Sequence, residues 1–147
     1  IGEFMFQLGE HVMHPQQGVC KITDRITMDA REYYVLSPLS DHKLKLYIPI
    51  LSSKKIGVRV LASEAELRSL YQEAEQADTP WIADRNARFR LYDESVQNGD
   101  LLEILKLSKM LHARRKEKLL TGRDKSFLDC VSRCTLSEFN FVCSGIS

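Results

Sequence analysis

The sequence is poor in the residues that break regular structure: seven Gly and four Pro in 147 residues, with a single Trp. That scarcity excludes a collagen-like or low-complexity chain. It also lacks an excess of charge. The 21 Lys and Arg stand against 20 Asp and Glu, so bulk charge argues neither for nor against a polyanionic partner. No window of about 18 uncharged apolar residues occurs, and the basic-then-apolar layout of a secretory signal is missing. The expectation is a cytoplasmic chain with no membrane partner. There is no G-x-x-x-x-G-K, G-x-S-x-G, H-E-x-x-H or paired C-x-x-C motif, and 147 residues are too few for a large α/β barrel with its own substrate site. The chain is therefore not expected to be an enzyme or to hold a cofactor.

What is present suffices for a core: hydrophobic residues make up 44% and charged residues 28%. Residues 1–4, Ile1-Gly2-Glu3-Phe4, look like a cloning remnant, with Met5 as the natural start. From Phe6 to Leu61 short apolar runs rich in β-branched and aromatic residues are broken by turn residues, which predicts strands over Phe6–Met13, Val19–Thr27, Arg31–Leu36, Leu44–Ile50 and Val58–Leu61. Five short strands in so few residues suggest a strongly bent sheet or small barrel of the Tudor or SH3 type.

At Ser63 the apolar period changes to between three and four, and Ser63 with Glu66 forms a capping box, so a boundary falls near residue 62. Leu67, Leu70, Tyr71 and Ala74 line a first helix ending before Asp78. Thr79-Pro80 reads as the start of a second, which buries Ile82, Phe89, Tyr92 and Val96 and stops at Asn98-Gly99. Asp100 and Glu103 open a third, with Leu101, Ile104, Leu107 and Leu111 inward. A last helix spans roughly Asp124 to Val142, with Phe127, Leu128, Val131, Cys134 and Phe139 in the core and Gly145 past its end. The predicted class is α+β: residues 5–62 a small Tudor/SH3-like β-barrel domain, residues 63–147 an all-α helical bundle.

Four cysteines, Cys20, Cys130, Cys134 and Cys143, are unevenly spaced and read as free thiols. Cys130 and Cys134 sit four apart on the last helix without a His at ligand spacing, and read as buried apolar cysteines. His11 and His14 could meet Cys20 around a metal, but three ligands lack a fourth, so no metal is expected.

Charge is informative locally. Lys106, Lys109, Arg114, Arg115, Lys116, Lys118, Arg123 and Lys125 face only Glu117 and Asp124 within that stretch, a local +6. Such density suits phosphate neutralisation; a solvated helix face, which accounts for most charge runs in soluble proteins, is the reading the stretch favours by itself. Trp81, placed in the first turn of the predicted second helix, shares a flank with Arg85 and Arg88. A partly exposed indole beside two guanidinium groups can wedge against a base step while the arginines hold phosphates. It can also be a rim Trp packed between the halves with Arg85 stacked on it. Spacing alone leaves both readings open.

Met5-Phe6-Gln7-Leu8-Gly9-Glu10-His11-Val12, His14-Pro15-Gln16-Gln17-Gly18-Val19, Glu32-Tyr33-Tyr34-Val35-Leu36, Leu44–Pro49, Ile56-Gly57-Val58-Arg59, Pro80-Trp81-Ile82, Asn98-Gly99-Asp100 and Ser137-Glu138-Phe139, taken in order, resemble the CarD/CdnL family of bacterial transcription regulators. The resemblance runs over nearly the whole chain from Met5. It implies that the Tudor-like domain docks on the β-subunit lobe of RNA polymerase and that the helical domain lies on promoter DNA, largely without sequence preference. Trp81 would then enter the minor groove and hold the open complex. Arg85, Arg88, Lys106, Lys109, Arg114, Arg115 and Lys116 would lie around it. The implied location is bacterial and nucleoid-associated. Met28 and Tyr47 stand where some members carry polymerase-contacting arginines, so the polymerase-binding set is taken as Arg25, Met28, Arg31, Lys45 and Tyr47.

Two other classes compete. One is a Tudor-like protein–protein adaptor without DNA contact, separable by salt-dependent duplex binding. The other is a small thiol enzyme built on Cys20 with His11 or His14, which needs a depressed thiol pKa and an accessible site. The sequence also leaves open whether the two halves exchange between chains as a domain-swapped dimer.

Overall fold

The computed structural model describes residues 6–144. Residues 1–4, read as a cloning remnant, lie outside that range, as do Met5 and Gly145. Alternation of apolar and polar side chains builds the first half from β1 (His11–His14), β2 (Gly18–Met28), β3 (Arg31–Pro38), β4 (Leu46–Pro49) and β5 (Arg59–Val60), paired antiparallel in the order β4-β3-β2-β1-β5. The β2–β3 hairpin turns through Asp29 and Ala30, both at positive φ, as a two-residue turn matched to strand twist requires. A bulge between Ile22 and Asp24 bends β2.

The predicted barrel is corrected in one respect: the sheet is open. β4 and β5 are its two edges and do not pair. Closure is unnecessary because residues outside the ladder finish the core. Phe6, Ile50 and Val58 pack with Val12, Cys20, Ile22, Tyr34, Leu36 and Ile48, and the Tyr34 hydroxyl accepts the Phe6 amide at 3.3 Å. The first strand is also shorter than its apolar run. Gly9, at φ 85°, turns the chain before His11 and its amide donates to Ile22 O at 2.7 Å.

A one-turn helix, α1 (Ser53–Ile56), leads into β5, and four longer helices follow: α2 (Glu64–Gln76), α3 (Arg85–Gln97), α4 (Leu101–Arg114) and α5 (Gly122–Ser144). α2 opens at the expected capping box: Glu66 N donates to Ser63 Oγ and Ser63 N to Glu66 Oε1, each at 3.1 Å. α4 opens at Asp100, whose side chain accepts Glu103 N. α3 does not begin at Thr79-Pro80. Asp84 is its cap, accepting Asn86 N at 2.9 Å and Ala87 N at 3.4 Å, so residues 79–84 remain non-helical and carry Trp81 outside the helix. α5 begins two residues earlier than expected, at a second capping box in which Thr121 N donates to Asp124 Oδ2 and Asp124 N to Thr121 Oγ1. None of the described helices is long and apolar enough to cross a membrane.

The two halves are clamped by Ser137 and Glu138 of α5, and the neighbouring Phe139 packs within the helical half. Ser137 Oγ accepts Val19 N at 3.2 Å, and Glu138, wholly buried, takes both Arg59 Nη1 and Nη2 at 2.7 Å and the Ala62 amide at 3.0 Å. Phe139 meets the Tyr71 ring edge-on. Gly18 at the start of β2 has φ 77°, and a Cβ there would lie 3.0 Å from Ser137 Oγ, so conformation and close approach both require glycine.

Candidate functional site

Trp81 lies half-buried at the rim of a cluster of Tyr92, Leu107, Met110, Leu111 and Leu128, alongside Ile82, Phe89, Leu91, Leu120 and Phe127. Two cations lie over its ring. The Arg88 guanidinium carbon is 4.5 Å from the ring centroid and that of Arg114, the last residue of α4, is 5.3 Å away. The expected stacking partner, Arg85, instead opens α3 as an exposed residue.

Arg88 corrects the sequence reading most sharply. Expected on the surface to hold a phosphate, it is 1% exposed. Its Nε and Nη2 donate to Asp124 Oδ1 and Oδ2 at 2.8 and 2.9 Å, and its Nη1 donates to Ile82 O at 2.9 Å and Ala83 O at 3.4 Å. Tyr92 OH adds a 2.7 Å bond to Asp124 Oδ1, and the Thr121 amide and hydroxyl reach Oδ2. Burial alone would raise the Asp124 pKa. The Arg88 guanidinium, the Tyr92 hydroxyl and the Thr121 donors outweigh it and hold the carboxyl well below the usual carboxylate range. With four of its five N–H donors bonded inside the fold and the side chain buried, Arg88 is not presented to a phosphate.

The remaining basic residues divide. Lys109 is drawn to the C-terminal end of α2, where its ammonium donates to Glu75 O and Ala77 O at 2.6 Å and Ala74 O at 3.4 Å, a helix-end cap rather than a free cation. Lys106 is half-buried on α4. Arg114 bonds Glu117 at 2.9 Å, and Arg115 and Lys116 follow on an exposed 3-10 turn. That turn ends at Lys118 in the left-handed region and at Leu119, 53% exposed. Trp81, Arg114, Arg115 and Lys116 thus share one end of the helical half.

On the sheet, cross-strand partners share a face. Met28 pairs with Arg31 and Tyr47 with Val35, so Met28, Arg31 and Tyr47 lie on the face opposite the Tyr34 side chain, with Met28 43% and Tyr47 48% exposed. Lys45 is exposed two residues before Tyr47, beside the edge strand β4. Arg25 registers with Tyr34 on the core-side face and donates to Glu32 Oε2 through Nε and Nη2, so it stands apart from the other four.

The cysteine and histidine candidates have structural surroundings. Burial pushes the Cys20 thiol up to about 12, which removes the activated nucleophile that a thiol enzyme on this residue would need. His14 Nδ1 accepts the amides of Gln16 and Gln17 at 3.1 and 3.3 Å, folding the β1–β2 turn. Among the described residues no cluster of His, Cys, Asp and Glu could hold a metal ion. Cys134 is buried as expected. Cys130 is only half-buried, and both thiols donate to Pro15 O.

The fold defines a two-module α+β class: an open five-stranded sheet with one exposed face, clamped to a helical half that carries a half-exposed indole in basic surroundings. Comparison with known proteins gives the class a family. Residues 6–60 match the CarD-like/TRCF RID domain and residues 66–145 the CarD C-terminal domain. The chain belongs to the CarD family and is a transcription regulator. It is 23% identical over 145 residues, 94% of this chain and 92% of the other, to "Putative transcription factor YdeB" of Bacillus subtilis (strain 168).

Proposed function

We propose that this regulator anchors to the β-subunit lobe of RNA polymerase through its sheet and stabilises the open promoter complex through its helical half, acting by binding rather than by catalysis. The observation that carries the reading is Trp81: a lone indole at the rim of the helical half, with Arg114 over its ring and Arg115 and Lys116 on the adjoining exposed turn. An indole so placed can enter the minor groove against an unstacked base step while nearby cations neutralise phosphates. Arg85, exposed four residues after Trp81, extends the basic surroundings. The polymerase surface is Met28, Arg31, Lys45 and Tyr47 beside the outer edge of β4, whose unpaired side suits strand addition.

Anchoring raises the effective concentration of the helical half at the promoter, so weak contacts without sequence preference suffice. The equilibrium moves toward melted DNA only if Trp81 binds bent or frayed duplex better than closed duplex, because equal affinity shifts nothing. Charge reversal at Lys45 together with Arg31 is expected to release the chain from immobilised polymerase β lobe while leaving its circular dichroism unchanged. Unaltered retention would refute the sheet surface. Duplex binding that does not weaken with salt would refute the DNA surface and leave the adaptor reading.

A further inference from the structure

We infer that Arg88, held by Asp124, is a positioning residue that fixes the pose of the Trp81 ring. The inference rests on the reading of Trp81 as the DNA-contacting group and adds a device to it. Residues 79–84 have no helix of their own to fix them. What spans this segment is one guanidinium. Its Nη1 donates to the carbonyls of Ile82 and Ala83, the two residues following Trp81, and its guanidinium carbon lies over the indole, 4.5 Å from the ring centroid.

The guanidinium is itself fixed from a distant element. Asp124, wholly buried in the first turn of α5, grips Nε and Nη2 with its two oxygens and is held in turn by Tyr92 from α3 and Thr121 from the α5 cap. α3, α5 and the segment carrying Trp81 therefore converge on one charge pair.

Two features set this apart from a merely stabilising ion pair. The fork geometry matters: a planar guanidinium can stack on an aromatic face and donate in three directions at once, which an ammonium cannot. The packing is also complete: none of the buried side-chain polar atoms among the described residues lacks a hydrogen-bond partner. A pre-set ring lowers the ordering cost of inserting it between bases, so a loosened Trp81 is expected to bind melted DNA less well even though the indole is intact.

Trp81 is the only Trp in the chain, so intrinsic fluorescence reports on this ring alone. The test compares the parent with Arg88→Lys, Asp124→Asn, Tyr92→Phe and Trp81→Ala. Tyr92→Phe removes one bond to Asp124 but leaves the Arg88 contacts to the Trp81 segment, and so controls for general loss of stability. Each folded variant is read for quenching of Trp81 by acrylamide and for open-complex lifetime with RNA polymerase and promoter DNA. Arg88→Lys is expected to fold, to raise the quenching constant at least twofold and to shorten the lifetime as much as Trp81→Ala, whereas Tyr92→Phe keeps parental quenching. If Arg88→Lys does not fold, Asp124→Asn carries the same expectation. Parental quenching in the folded Arg88 or Asp124 variant overturns the inference. So does raised quenching with a full lifetime where Trp81→Ala loses it. A Trp81→Ala chain with a parental lifetime refutes the DNA reading instead, and quenching still decides the positioning.

Discussion

Arg59 at the sheet edge and Glu138 on the last helix, 79 residues apart, meet in a two-point ion pair with both N–O distances at 2.7 Å. Glu138 is wholly buried and Arg59 keeps partial exposure. Arg59→Met leaves a carboxylate uncompensated in the interior, expected to cost about 3 kcal/mol, the lower end of the range for a fully buried pair. Arg59→Met/Glu138→Met, which removes both charges, is expected to recover most of that loss. Urea denaturation of the two variants checks the difference.

Asp124 makes a pH prediction with a definite sign. Its carboxyl pKa is held low in the folded chain, so its contribution is fully present above the unfolded value of about 3.9 and is lost as pH falls toward the folded value. The parent should lose stability steeply below about pH 4. Asp124→Asn should be less stable at neutral pH and show a flatter acid limb. Stability profiles from pH 2 to 7 decide it, and identical acid slopes would contradict the network.

Thiol reactivity should follow position. The neighbouring Cys134 thiol and the Arg133 guanidinium lower the Cys130 thiol from its ordinary value, while burial pushes the Cys20 thiol up to about 12. Iodoacetamide at about pH 7.5 is expected to modify Cys130 before Cys20 or Cys134, as read by peptide mass mapping.

The exposed turn after α4 should appear in the salt dependence of duplex binding. Each phosphate contact contributes about 0.9 to the slope of log K against log salt on B-form DNA. Arg115→Ala/Lys116→Ala is therefore expected to reduce that slope by about 2 while weakening binding evenly across sequences. An unchanged slope would remove these two residues from the interface.

Local signals carried much of the fold. Ser63 with Glu66 and Asp100 with Glu103 mark helix starts because a cap is satisfied within four residues. Thr79-Pro80 carries a similar mark and misleads, since Asp84 captures the helix amides and Arg88 takes the carbonyls of Ile82 and Ala83. The open sheet was not legible, because Phe6, Ile50 and Val58 reach the core from outside the alternating runs. Nor was the burial of Arg88, whose partner lies 36 residues away. One clue was available: Thr121 three residues before Asp124 is itself a capping pattern, which would have moved the start of the last helix back to Gly122 and given that carboxylate an inward, capping role rather than a place in the basic stretch.

The most direct test of the account is the lifetime of promoter open complexes under competitor challenge, with polymerase and either the parent or Trp81→Ala. Stacking of a base on an aromatic ring is worth about 1–3 kcal/mol. The parent should therefore lengthen the lifetime about tenfold relative to Trp81→Ala, with both chains retained equally on the polymerase β lobe. A Trp81→Ala chain that prolongs the open complex as well as the parent would contradict it.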